Sequence, residues 1–242
     1  MNFLSDTPRL ELFRLGGIPI KIDITFILVP IFLWNVLLSS PNTFVILTIG
    51  VFLSVLLHEL GHATIARLFR VPVGEILVGG FYGYARMLQA APSTLANILI
   101  LFAGPLTNGL LFLLCWHVLG QPQIGITGQF GPIDPMPWLA NNPWAIYAAF
   151  MLARINLAML VFNLLPAFPL DGGRIYRDIL GAVLSRTFAI RAIALLGVAV
   201  GLWSAYTAYA SFNHNLVLLL IGAQIAIMNW AILKRPADAE DR

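Results

Sequence analysis

The chain predicts an all-α polytopic membrane protein of about six transmembrane helices, with a small membrane-associated β-strand or hairpin after the second. Three observations carry that expectation. Only 25 of 242 residues are charged (14 Lys+Arg, 11 Asp+Glu), a 10% share against roughly 25% in soluble domains. Hydrophobic residues make up 59% and the mean hydropathy is +0.86. A water-facing surface cannot be assembled from that composition, so the soluble globular, disordered and disulfide-scaffold classes are excluded together. Third, apolar runs of span length recur along the chain, with basic residues gathered between alternate pairs. Six spans of about 20 residues would use roughly half the chain, which predicts one bundle over residues 1–242 and no separate soluble domain.

The first run, about residues 22–38, follows Arg9, Arg14 and Lys21 without a small-residue cleavage site, and predicts a retained helix rather than a signal peptide. The second, about 43–69, contains His58-Glu59-Leu60-Gly61-His62 and is stopped by Arg70 and Pro72. Residues 71–90 are Gly-rich and short-patterned (Val73, Ile76, Val78, then Gly79-Gly80-Phe81-Tyr82-Gly83-Tyr84), which suits an edge strand or hairpin. Further spans are predicted at about 95–119, 147–165, 190–209 and 216–233, with a Gly/Pro-rich linker from Gly120 to Pro143. The single Cys115 lies in an apolar run, so no intrachain disulfide and no thiolate cluster can form.

Net charge +3 and a pI near 9.3 are evidence about orientation before they are evidence about nucleic acid, for which no role is expected. Counted against the six spans, 13 of the 14 Lys and Arg fall on one face, and Arg154 is intramembrane. The positive-inside rule then predicts both termini in the cytoplasm. An uncleaved first span and a bare bundle suit a prokaryotic plasma membrane.

The chemistry is concentrated in the second run. His58 and His62 are four apart, so on a helix both imidazoles leave one face, one turn apart, and can hold one metal ion. Glu59 lies beside them as a candidate general base, completing the metalloprotease arrangement H-E-x-x-H. With four His and four Glu in the chain, an accidental match is expected about once in a thousand such sequences. Three ionisable groups within five residues of a span each cost ~2.5 kcal/mol or more, which calls for a compensating use.

Two imidazoles leave a catalytic zinc one protein ligand short of three. Asp171 is the candidate, because Asn163-Leu164-Leu165-Pro166-Ala167-Phe168-Pro169-Leu170-Asp171-Gly172-Gly173 cannot form a continuous helix. Broken backbone at membrane depth is tolerated where it lines protein or water. His62 and His58 lie eight and twelve residues before Arg70, ~12 to ~18 Å inside the cytoplasmic surface by helix rise. Hydrolysis at that depth needs a polar cavity opening to the cytoplasm. Glu75 lies outside the spans and is expected to be a solvated charge.

These motifs resemble the site-2 proteases, a family of intramembrane zinc metalloproteases. The likeness covers the central half of the chain or more. His58 through His62 is similar to the family's zinc helix, Asn163 through Gly173 to its N-x-x-P-x-x-P-x-D-G segment, and Ala103-Gly104-Pro105-Leu106-Thr107-Asn108 to a motif of the following span. Gly79-Gly80 resembles the family's Gly-Gly loop. The chain leaves no room for the PDZ or CBS domain of many members.

The resemblance implies one zinc ion per chain, held by His58, His62 and Asp171, with Glu59 as base and Asn163 as donor to the oxyanion of the scissile carbonyl. The substrate class it implies is a transmembrane segment of another membrane protein, cut within the lipid bilayer in regulated intramembrane proteolysis. It leaves room for a regulatory membrane protein as partner. A helical substrate hides its carbonyls and must unwind; the stretch from Ile76 to Tyr84, with Gly79 and Gly80, would then bind it as an added strand. The competing reading is a membrane metal-binding protein or transporter without proteolytic activity. Glu59 argues against it, since a transit site needs no base beside its ligands. A catalytically silent scaffold is the third reading, opposed by the complete ligand and base positions.

Overall fold

The computed structural model describes residues 8–80, 83–125, 131–210 and 216–235. Phe81 and Tyr82 of the expected strand and both chain ends, whose side of the membrane the charge count predicts, lie outside the described residues.

The first predicted span is not a continuous helix. Its start belongs to a hairpin, β1 (Arg9–Leu15) and β2 (Ile18–Asp23), joined at Gly16 and Gly17, whose φ values of 55° and 83° suit a two-residue turn of positive φ. Asp23 then caps a 3-10 turn over Ile24–Ile27, accepting the Thr25 N–H at 2.8 Å. Two short helices follow, α1 (Leu28–Phe32) and α2 (Trp34–Ser39), broken at Leu33. Hydropathy alone read residues 22–38 as one run. The period-two alternation of Ile18, Ile20 and Ile22, the buried Asp23 cap and the break at Leu33 divide it among sheet, turn and helices too short to span.

The remaining order is α3 (Pro41–Leu68), β3 (Val73–Val78), β4 (Gly83–Met87), α4 (Thr94–Val118), α5 (Pro137–Ala140), α6 (Pro143–Asn163), α7 (Asp171–Val183), α8 (Arg186–Ala210) and α9 (Leu216–Leu233). Among the described residues, four helices (α3, α4, α6 and α8) are long and apolar enough to cross a membrane, and α9 is a shorter apolar helix. The expected first span is instead a hairpin strand, a 3-10 turn and two short helices. Side chains cap the starts of α3, α4 and α6: Ser40, Ser93 and Asn142 accept from backbone N–H groups three residues on.

The strands form one sheet in the order β1-β2-β3-β4. β2 and β3 run parallel, pairing Ile20 with Ile76, across the intervening α3, while β3 and β4 form an antiparallel hairpin. The stretch expected as an edge strand or hairpin is a hairpin, with β3 interior and β4 at the edge of the sheet. Ile18, Ile20, Ile76 and Val78 bury one face of the sheet against Leu56 and Ala63 of α3. Glu75 is not solvated: it is buried, with Lys21 Nζ at 2.7 Å, Arg9 Nη1 at 3.3 Å and the Tyr84 hydroxyl at 3.4 Å. One carboxylate thereby ties residues of all four strands.

α4 and α6 pack on α3 and on each other, α7 on α4 and α8, and α9 chiefly on α8. The α8–α9 contact is close because small residues face one another: a Cβ on Gly201 would lie 2.5 Å from Ala226 N and 2.6 Å from Gly222 O.

Candidate metal centre

α3 delivers His58, Glu59 and His62 on consecutive turns, buried at 4%, 5% and 6% exposure. Their nearest ligand atoms all lie within 4.8 Å of one another. The two imidazole Nε2 atoms are 3.1 Å apart. Asp171, the first residue of α7, meets both of them through Oδ2, at 3.1 Å from His58 and 3.2 Å from His62. The backbone from Leu164 to Leu170 is non-helical and folds back on α7: a Cβ on Gly173 would stand 2.5 Å from Ala167 O. The prolines and glycines that deny this segment a helix also bring its carboxylate 113 positions back to His58.

The donor set suits zinc. Each imidazole uses Nδ1 elsewhere, which leaves both Nε2 lone pairs aimed at a common point with the Asp171 carboxylate. His58 Nδ1 lies 2.5 Å from Asn108 Oδ1, and His62 Nδ1 lies 2.7 Å from the Ile100 carbonyl oxygen, both acceptors on α4. Asn108 Nδ2 then donates to Asn156 Oδ1 on α6 at 2.8 Å, and Asn156 Nδ2 to Ser54 Oγ on α3 at 3.0 Å. This chain of buried amides fixes the His58 ring from three helices. Gly104 leaves the space in front of it, since a Cβ there would fall 2.3 Å from His62 Nε2 and 2.6 Å from His58 Nε2.

Glu59 is beside the imidazoles and under the sheet edge. A Cβ on Gly83, the first residue of β4, would lie 2.8 Å from Glu59 Oε1. Among the described residues no strand pairs with the outer edge of β4. Gly79 and Gly80 connect β3 to β4, and Gly80 is seated on the N-terminal segment, its N–H 3.3 Å from Thr25 Oγ1. Asn163, half-buried, ends α6, and its side chain makes no hydrogen bond to another described residue. The structure thus gathers His58, His62, Glu59 and Asp171, and among the described residues no hydrogen bond joins Asn163, Gly79 or Gly80 to them. Water would have to enter a closed site, because Asp171 too is only 9% exposed.

The sequence offers Asn108 and Asn156 only as lesser candidates, after Asn163, for the oxyanion donor, and reveals the buried partners of neither, nor those of Asn229. Asn108 lay in a quoted motif, but its partner across 50 positions was not legible. Asn229 was legible only as a polar side chain inside an apolar helix, which is a signal of use without a statement of which.

The Peptidase family M50 model matches residues 46–131 and 126–204. The chain is similar to the zinc metalloprotease MJ0392 of Methanocaldococcus jannaschii, 32% identical over 213 residues, covering 88% of this chain and 57% of that protein. It is similar to Rip3 of Mycobacterium tuberculosis, 30% identical over 198 residues, covering 78% of this chain and 44% of that protein. The chain therefore spans about half the length of these curated relatives. Among solved structures, the site-2 protease from Methanocaldococcus jannaschii superposes with a TM-score of 0.64 at 26% identity, covering 95% of this chain and 97% of that one.

Proposed function

Because the chain belongs to Peptidase family M50, we propose that it is an intramembrane zinc metalloprotease that hydrolyses a peptide bond in or near a transmembrane segment of another membrane protein. The observation that carries this reading is the meeting of His58, His62 and Asp171 at 3.1 to 3.2 Å with Glu59 beside them, on and against a helix, α3, long and apolar enough to cross a membrane. His58 Nε2, His62 Nε2 and an Asp171 carboxylate oxygen would hold the ion. When bound, zinc supplies Lewis acidity, activating water near neutral pH and polarising the carbonyl to be attacked.

The chain's own residues do the rest. Glu59 takes a proton from the attacking water and returns it to the leaving amine, a transfer worth ~10²–10⁴-fold in rate. Asn163 donates to the developing oxyanion after a local rearrangement. The outer edge of β4 accepts an unwound segment of substrate as an added strand, which lays its backbone beside Glu59. Gly79 and Gly80 shape the approach to that edge. The substrate reaches this buried site when neighbouring elements part, and the basic face of the bundle lies toward the cytoplasm of a plasma membrane, where it places both termini.

The test is detergent-purified wild type beside Glu59→Gln, assayed for zinc content and for cleavage of a panel of single-span membrane proteins. About one zinc per chain in both, with cutting by the wild type alone, is the expected result. Equal cutting by the two proteins, or no zinc in the supplemented wild type, overturns it. Zinc in both with no cleavage of any panel member favours a metal-binding or transport role.

A further inference from the structure

Asn229 lies on α9, is completely buried, and belongs to none of the motifs above. Its carboxamide grips one peptide unit on each side of Phe168. Nδ2 donates to the Phe168 carbonyl oxygen at 2.6 Å, and Oδ1 accepts the Phe168 N–H at 3.1 Å. The second Nδ2 hydrogen goes to the Ile225 carbonyl, one turn back on its own helix, at 2.8 Å. Three of the four hydrogen-bonding positions of the amide are thereby used. α8 makes room for the group with Gly197, where a Cβ would stand 2.3 Å from Asn229 Cγ.

The gripped residue is three positions from Asp171. Between them the chain is tightly folded: Leu170 N–H bonds the Ala167 carbonyl at 3.0 Å, Arg174 N–H bonds the Leu170 carbonyl at 3.3 Å, and Gly173 abuts Ala167. The turn and the start of α7 are packed against one another. Phe168 lies in non-helical backbone packed against α9, where an unsatisfied buried N–H or C=O is costly, so its two groups need a partner that no helix of their own provides.

We propose that Asn229 is a positioning residue for the metal centre. By holding both backbone groups of Phe168 it fixes the turn that sets the Asp171 carboxylate against His58 and His62, and it makes the α8–α9 pair a support of the metal site. This rests on the reading of Asp171 as a zinc ligand.

The experiment measures zinc affinity by competition with a chromogenic chelator, independently of proteolysis. It uses the full chain as wild type, Asn229→Leu, Asp171→Ala and the double variant, with thermal unfolding of each metal-free protein as the folding control. Asn229→Leu is expected to weaken zinc binding 10- to 100-fold in the wild-type background, as removal of outer-shell support does. On the Asp171→Ala background it is expected to change affinity less than about threefold, because both substitutions act through one carboxylate. Zinc affinity of Asn229→Leu within threefold of wild type overturns the proposal, as does an equal loss on both backgrounds, the mark of a general packing defect. Zinc binding by Asp171→Ala equal to wild type overturns the ligand reading, and the positioning role with it. If Asn229→Leu does not fold, Asn229→Asp serves: it keeps the acceptor for Phe168 N–H and removes the donor to Phe168 O. A loss smaller than threefold there overturns the proposal, and a larger one confined to the Asp171 background sustains it.

Discussion

His58, proposed above as a zinc ligand, illustrates how far groups on other helices settle the orientation of an imidazole. A free imidazole can present either nitrogen, and here Asn108 accepts at Nδ1, leaving Nε2 to face Asp171. Asn108→Leu keeps the bulk and removes the acceptor. It is expected to lower zinc affinity 10- to 100-fold, measured by chelator competition, while the protein stays folded. Gly104→Ala tests the space rather than the orientation: its methyl group would occupy the approach to both Nε2 atoms, and zinc content after purification is expected to fall well below one per chain. Legibility differs sharply among these residues. The i, i+4 spacing of His58 and His62 is a local property and could be read directly, as could the helix-breaking prolines before Asp171. That Asn108 faces His58 depends on how α3 and α4 pack, and no spacing along the chain records it.

Among the elements, the sheet shows why hydropathy misplaced the first span. Apolar content is high from Ile22 onward, but the alternating pattern and the Gly16-Gly17 turn precede it, and the strand they define ends in a buried, capping Asp23. The signal was present in the period, not in the average. Glu75 is the electrostatic tie of this sheet. Burial alone would push its carboxyl up, but the hydrogen bond and charge of Lys21, with the charges of Arg9 and Arg86, hold it below the usual carboxylate range. The folded value is thus below the unfolded one, so the stabilisation is fully present above the ordinary value near 4.5 and is lost as pH falls through the folded value. Protection of the β2 and β3 amides, taken relative to their intrinsic exchange rate at each pH, is expected to fall on acidification below that range, and Glu75→Gln to flatten the dependence. An unchanged slope in the variant would assign it to other carboxylates. In the α8–α9 pair, Gly201→Leu places a side chain against the Ala226 backbone and is expected to cost about 2 kcal/mol or more, read as a lower unfolding midpoint.

For the whole molecule, the proposed metal centre joins parts that the chain keeps far apart: two imidazoles on α3 and a carboxylate on α7, with the amides of α4 and α6 bonded behind His58 and Asn229 of α9 bonded to Phe168. An ion bound only by the folded state adds stability by mass action, about 2.7 kcal/mol at a hundredfold excess over Kd. Thermal unfolding of the wild type is therefore expected to shift upward with zinc and back with a strong chelator. Asp171→Ala is expected to shrink that shift, and an equal shift in both would remove the carboxylate from the ligand set. The sequence by itself determined the membrane class, the helices built on uninterrupted apolar runs, and the H-E-x-x-H chemistry, because composition, run length and helical spacing are properties of neighbours along the chain. Tertiary structure decided the parallel pairing of β2 with β3, the burial of Glu75, the meeting of Asp171 with His58 across 113 positions and the grip of Asn229 on Phe168 across 61. Each is a contact between residues whose proximity arises only when buried polar groups, denied water by the bilayer and the bundle, must find one another.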